Sequence, residues 1–231
     1  MKNEFVLITG SSNGLGESLA LIFSQNNYNI ILHGRNEQKL EEIRKKIIKN
    51  NVECYVVKGD INSNDTLKEL STLAKEKNIS ILINNAGINL DGVFENASQL
   101  DIEAVLTTNL ISLIKLTNYI YKFFIEKKSG MIININSMDG FKVKPLKAVY
   151  CASKFGLKGF SDSLRFEAKK NNIRVMEVYL GGMKTNMAAA EGKDLSKSME
   201  TSEVAQLILN SCKGYPSASI DELLINRTRY D

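Results

Sequence analysis

A chain of 231 residues, 43% of them hydrophobic, has the size and composition of one soluble globular domain with a core of useful size. Its 30 Lys and Arg against 26 Asp and Glu give a formal net charge of +4 that is spread along the chain, which predicts a lysine-rich solvated surface rather than a nucleic-acid interface. No run approaches the ~18 apolar residues of a membrane span, and with His33 the only histidine and Cys54, Cys151 and Cys212 widely spaced, neither a His-rich metal site nor a disulfide framework is expected.

The amino end, MKNEFVLITG, runs straight into an apolar stretch and leaves no room for a signal peptide. Three scattered thiols suit a reducing compartment, so a cytoplasmic protein is expected. Residues 4–9 read as the first strand, because FVLIT is short, apolar and β-rich. Gly10-Ser11-Ser12-Asn13-Gly14-Leu15-Gly16 follows and leads into a helix over 15–26. A strand that turns through glycines into a helix brings bare N–H groups and a helix N-terminus against a phosphate. The spacing T-G-x-x-x-G-x-G differs from the G-x-G-x-x-G fingerprint, and an ordinary glycine turn is the competing reading.

Further strands are predicted over 28–33, 52–58, 79–84, 130–136, 173–180 and 222–226. They alternate with helices over 37–50, 63–77, 99–127, 149–171 and 202–212. Such alternation predicts one α/β domain, residues 1–231, with a mostly parallel sheet, helices on both faces and right-handed crossovers. Residues 186–201 have no clear partner in that sheet. They fall after the sixth strand, where a lid over a substrate would sit; a solvent loop is the other reading.

Tyr150 and Lys154, in the run YCASK, stand four apart in a helical stretch and so share a face, one turn apart. A free tyrosine, with a pKa of ~10, is a poor acid or base at neutral pH. A fixed ammonium nearby stabilises the phenolate and lowers that value. A tyrosine tuned in this way can protonate an alkoxide or accept a proton from an alcohol. Cys151, about 100° round the helix from Tyr150, reads as a small packing residue.

The other pieces stand in a fixed order: TGSSNGLG, the Asp60-Ile61 pair, NNAG with Asn85, Ala86 and Gly87, Asn109 inside a predicted helix, Ser137 closing MIININS, and YCASK. In this order and spacing the sequence resembles the short-chain dehydrogenase/reductase family, in its compact single-domain branch, along nearly the whole chain. The resemblance implies a doubly wound, seven-stranded, Rossmann-like sheet in the order 3-2-1-4-5-6-7. It implies transfer of a hydride between NADP(H) and a small carbonyl or alcohol substrate, with no metal.

The resemblance also assigns roles. Tyr150 is the acid/base, Ser137 orients the substrate carbonyl, and Lys154 holds the nicotinamide ribose and tunes Tyr150. Asn109 holds a water that links Lys154 to solvent. Cofactor binding falls to Gly10, Ser12, Asn13, Gly14, Leu15, Gly16, Arg35, Asp60, Ile61, Asn85, Ala86, Gly87, Gly181 and Thr185, together with Tyr150 and Lys154. At the end of the second strand Gly34 supplies no acid for a ribose, while Arg35 suits a 2′-phosphate, which favours NADP. The helices over 99–127 and 149–171 resemble the family's assembly helices and carry Leu110, Leu113, Ile114, Leu116, Phe155, Leu157 and Phe160 beyond one face, so a homodimer or homotetramer is expected.

Three departures qualify the resemblance. Asn13 stands where many NADP-preferring members carry a basic residue, and Leu180 replaces the usual proline before Gly181. The end, DELLINRTRYD, lacks the glycines common among reductases of 3-oxoacyl chains, which lowers that alternative. Lys142, Lys144 and Lys147 precede Tyr150, and a positive mouth for an anionic substrate is one reading of them. A cofactor-binding regulator without catalysis is the alternative from another class; intact Ser137, Tyr150 and Lys154 argue against it. A nucleotide-sugar epimerase would need a larger carboxyl-terminal domain.

Overall fold

Short aliphatic runs become strands covered on both faces. In the computed structural model, which describes residues 4–185, 195–196, 198–214 and 218–228, β1 (Phe5–Ile8), β2 (Asn29–Gly34) and β4 (Ile81–Asn84) are buried at every position. A strand with no solvent face needs no polar alternation, which is why these segments read as continuous apolar runs. β3 (Cys54–Lys58), β5 (Gly130–Ser137), β6 (Ile173–Leu180) and β7 (Glu222–Ile225) complete a seven-stranded sheet. Its order is β3-β2-β1-β4-β5-β6-β7, and every pairing is parallel, as expected.

Helices cover both faces. α1 (Gly14–Gln25), α2 (Glu37–Ile47) and α7 (Thr201–Ser211) press Leu19, Leu40 and Ile208 onto Ile8, Ile30 and Leu32. α3 (Asn64–Glu76), α5 (Ser112–Lys127) and α6 (Ala148–Lys169) press Leu70, Leu116 and Leu164 onto Leu7, Leu82 and Ile132. Each such side chain contributes roughly 1.5–3 kcal/mol by leaving water. Side-chain caps start several helices: Asn36 accepts from Lys39 N, Ser63 from Thr66 N, and Ser98 from Asp101 N. Among the described residues no helix is long and apolar enough to cross a membrane.

The expected single helix over 99–127 is three pieces. α4 (Gln99–Leu106) passes through a π-helical turn at Thr107–Ile111 before α5 begins. The wider turn brings Asn109 fully inside the protein. The helix expected over 37–50 tightens to a 3-10 turn after Ile47. The proposed lid, 186–201, lies largely outside the described residues. At its flanks Met199 N donates to Gly182 O at 3.0 Å, and Lys184 N donates to Met199 O at 2.9 Å.

On the face under α5 and α6 the sheet changes character along its strands. Leu82 gives way to Asn84, and Ile132 to Asn134 and Asn136, all buried. Asn84 Nδ2 donates to Asn134 Oδ1 at 2.8 Å and to Thr117 Oγ1 at 2.9 Å, and Asn134 Nδ2 donates to Ser161 Oγ at 2.8 Å. Buried amides need such partners. This polar ladder lies at the carboxyl ends of the strands, where the connections leaving β1 and β4 run in opposite directions and open a crevice.

Candidate active site

The glycine segment leaves β1 in a shape that side chains resist. Gly10 has φ +65° and Gly14 φ +57°. A Cβ at Gly10 would stand 2.9 Å from Ala86 Cα, and one at Gly16 only 2.3 Å from Gly10 O. The segment is sewn to its neighbours. Thr9 Oγ1 accepts from the N–H groups of Asn85 and Ala86, each at 3.0 Å, and Asn85 Nδ2 donates to the carbonyls of Thr9 and Gly10. On the β2 side Ser11 N donates to His33 O at 2.8 Å, and His33 N donates to Ser11 Oγ at 3.0 Å. His33 Nδ1 faces Gly10 N at 3.4 Å, and burial pulls the imidazole down to about 4, so the ring is a neutral acceptor at neutral pH. Asn13 makes no side-chain cap to α1, so no side chain claims the first-turn N–H groups from that position.

These segments open onto a cavity of about 700 Å³. Gly10, Ser12, Asn13, Gly14 and Leu15 line it, with Asp60 and Ile61. Asn85, Ala86, Gly87, Gly181 and Thr185 line it as well, together with the exposed Arg35. Ser137, Tyr150 and Lys154 line the same cavity. Of the residues expected at the site, only Gly16 and Asn109 do not line the cavity. Gly16 seats α1 against the loop.

Asn109 is fully buried and holds one of the lining residues, Ile88. Its Oδ1 accepts from Ile88 N at 2.8 Å, and its Nδ2 donates to Ile88 O at 2.9 Å and Ser153 Oγ at 3.1 Å. The amide thus clamps the chain just after Gly87. A Cβ on Gly87 would come within 3.3 Å of Asn109 Oδ1 and 3.9 Å of Lys154 Nζ, so glycine leaves that corner open.

Lys154 is buried, and its Nζ donates to Ile135 O at 3.1 Å. Loss of water lowers its pKa to about 8, with the Glu177 carboxylate acting in the opposite sense. The Nζ stands 5.8 Å from the centre of the half-buried Tyr150 ring. A second ammonium, that of Lys147, lies 5.0 Å from the same ring. Ser137, at the end of β5, accepts from Asp139 N through Oγ at 3.1 Å. The arrangement can polarise a carbonyl, stabilise a phenolate and move a proton at Tyr150 Oη.

The basic segment is not the bare positive mouth that its lysines suggested. Lys144 pairs with Asp139 Oδ1 at 3.1 Å, and Lys147 pairs with Asp91 Oδ1 at 2.8 Å and Asp139 Oδ2 at 3.5 Å. Asp139 and Asp91 were not singled out from the sequence, and Thr9 and His33 were given no role at the site. Asp139 falls two residues after Ser137, which was the one available signal. Among the described residues no cluster of three His, Cys, Asp or Glu side chains could hold a metal.

Comparison with known proteins places this geometry. Residues 4–196 match the family model described as short chain dehydrogenase, and the chain belongs to that family. It is 34% identical over 183 residues to Nodulation protein G of Rhizobium sp. (strain N33), covering 78% of this chain and 74% of the relative. It is 28% identical over 223 residues to the 3-oxoacyl-[acyl-carrier-protein] reductase FabG of Thermotoga maritima, covering 90% of each. The structure of a short-chain dehydrogenase from Sphingobium yanoikuyae in complex with NADPH superposes with a TM-score of 0.87 at 26% identity, covering 96% of this chain and 87% of that one.

Proposed function

We propose that the protein is an NADP(H)-dependent oxidoreductase that interconverts a small carbonyl compound and its alcohol. One observation carries the reading: Ser137, Tyr150 and Lys154 line the same cavity as the glycine loop. The loop fits a dinucleotide: it joins β1 to the start of α1, lines the cavity, and at Gly10 and Gly16 packs against Ala86 and its own backbone where a side chain would clash. When bound, the cofactor supplies or accepts the hydride.

Backbone N–H groups of the loop and the start of α1 hold the diphosphate. Asp60 holds the adenine amino group; its Oδ1 also accepts from Asn62 N at 2.9 Å. Asn85, Ala86, Gly87, Gly181 and Thr185 shape the nicotinamide end. Arg35 pairs with the 2′-phosphate. A side chain at Gly34 would begin 3.2 Å from Ser12, so an acid there would crowd the loop. The NADPH complex of the Sphingobium relative supports the same preference.

Ser137 Oγ donates to the substrate carbonyl oxygen and aligns it. Tyr150 Oη gives its proton to the forming oxyanion, or takes one in the reverse direction. Lys154 favours the phenolate and holds the ribose. A 3-oxoacyl thioester is the second substrate reading, favoured by the Thermotoga relative. The three cysteines are free, and burial pushes the Cys54 and Cys212 thiols up to about 12. Unreactive thiols suit a cytoplasmic setting.

The test is NADPH oxidation against a panel of ketones, aldehydes, hydroxy acids, sugars and carrier thioesters. With an accepted substrate, Tyr150→Phe loses about 10²–10⁴-fold in single-turnover rate and keeps NADPH binding. Lys154→Met loses both. A Tyr150→Phe rate within a few-fold of the parent overturns the reading.

A further inference from the structure

Among the described residues Glu177 is the only fully buried carboxylate. It stands in β6, level with Asn134 of β5, on the face covered by α6. Its Oε1 accepts from Asn136 Nδ2, Oε2 makes no geometric hydrogen bond among the described residues, and the Ser161 hydroxyl of α6 also favours its ionised form. Burying a carboxylate is costly unless its interactions return the loss. A packing role alone does not account for this one, because the same-face positions before it, Ile173 and Val175, are filled by apolar side chains.

The partner amide explains its place. Asn136 immediately precedes Ser137 in β5. Its Oδ1 accepts from Ser137 N at 2.7 Å, and its Nδ2 donates to Lys154 O at 3.0 Å. One side chain therefore ties the backbone of Ser137 to that of Lys154. Gly140 makes room for it, since a Cβ there would lie 2.4 Å from Asn136 Oδ1. An amide has two orientations. Reversed, Oδ1 would face the carboxylate and the Lys154 carbonyl, three acceptors together, while Nδ2 would face the Ser137 N–H. The Lys154 carbonyl, the Ser137 N–H and the Glu177 carboxylate together exclude that state.

We propose that Glu177 and Asn136 are a positioning pair: the carboxylate fixes the Asn136 amide, and the amide fixes Ser137 and Lys154 relative to each other. This rests on the reading of Ser137, Tyr150 and Lys154 as the reacting group. Both residues act through that group. The pair has an electrostatic consequence as well, because the carboxylate favours the Lys154 ammonium that burial disfavours. The other charged or titratable groups about Glu177 are Lys158 and Asp162 of α6, Tyr179 of β6 and Glu222 of β7. The last four form a contact group, with Lys158 on Asp162 at 2.7 Å and on Glu222 at 3.1 Å, and Tyr179 Oη on Glu222 at 3.3 Å.

The experiment uses the full chain and four proteins: parent, Asn136→Asp, Glu177→Gln and the double variant. Asn136→Asp sets two carboxylates against each other and removes the donor to Lys154 O. Its kcat falls at least about tenfold, with a smaller change in KM. In the double variant the new amide at position 177 can donate to the new carboxylate at position 136, which still accepts from Ser137 N. The kcat therefore recovers by at least about threefold over Asn136→Asp. Glu177→Gln alone keeps an acceptor for Asn136, and its chief effect is on pH: the alkaline fall in rate moves to lower pH. NMR of 13C-labelled lysine, with Lys154→Met to assign the signal, reads the same downward shift of Lys154 without any substrate.

An Asn136→Asp enzyme as active as the parent, a double variant no better than Asn136→Asp, or an unmoved Lys154 signal in Glu177→Gln overturns the pair. If Asn136→Asp does not fold, the Lys154 signal in Glu177→Gln decides alone. Tyr150→Phe in the same assay separates the two readings. If it remains active, the catalytic assignment has failed; if it is inactive while the Glu177 and Asn136 variants match the parent, only the positioning pair has failed.

Discussion

The proposed NADP preference rests on Arg35 and Gly34, on one charge and one missing side chain. Arg35→Asp is expected to erase or reverse a preference for NADPH over NADH. A charge-assisted phosphate contact contributes about 1.5–3 kcal/mol, or roughly tenfold or more in affinity. Fluorescence titration of both cofactors checks this, and equal affinities in the parent mean that Arg35 has another role. His33 makes a pH prediction. Its folded pKa of about 4 lies below the ordinary 6.5, so the unfolded chain takes up the proton first as pH falls. The stability that comes from keeping the ring neutral is complete above the ordinary value and is lost as pH drops towards the folded one. The loss is about 3 kcal/mol. His33→Asn keeps an acceptor for Gly10 N and does not titrate. Urea unfolding at neutral and mildly acid pH should therefore show a smaller loss in the variant; parallel losses mean that protons reach the ring in the folded state. At this scale, what could be read directly was local. Tyr150 and Lys154 share a helix face, and Gly10 to Gly16 form one turn. Thr9, Asp139 and Glu177 act through partners as many as 77 positions away, and no spacing reveals those.

Leu146 shows how an element boundary can hold strain. It sits in the left-handed region at φ +63°, largely exposed, with its carbonyl accepting from Gly92 N at 2.8 Å. Leucine disfavours that region by about 1–2 kcal/mol, offset in part by the greater freedom of glycine in the unfolded chain. Leu146→Gly is expected to stabilise the protein by about 0.5–1 kcal/mol, read as a higher denaturation midpoint at unchanged slope. A lower midpoint would show that the leucine side chain contributes more packing than its exposure suggests. Strands were legible because complete burial writes itself as apolar runs, and the helices over 15–26 and 63–77 because apolar positions recur at helical spacing. The π turn at Thr107–Ile111 was not legible. It adds a residue to one turn without glycine or proline, so the apolar pattern passes through it. Asn109, a poor helix former, was its only trace.

For the whole molecule, assembly is the open side of the fold. Leu113, Leu116 and Leu157, expected at an interface, are buried within the subunit. Ile111, Tyr119, Phe155 and Phe166 remain exposed on the π turn, α5 and α6, Phe166 at 78%. Apolar groups in that number on neighbouring helices favour a homodimer or homotetramer. Light scattering at micromolar concentration should give a multiple of 25.8 kDa, and Phe155→Glu with Phe166→Glu should lower it. A strict monomer would leave these groups as a solvent patch. The strand order has a consequence in time rather than space. β1 is the first strand made, yet its β4 neighbour lies 75 residues further along, where Ser80 reaches back to Phe5. At roughly 5–20 residues per second of synthesis, β1 waits several seconds with one edge unpaired. The glycine loop waits with it, because Asn85 and Ala86 are what fasten Thr9. Until β4 emerges the nascent chain thus has neither a fastened glycine loop nor a partner for that edge of an apolar strand.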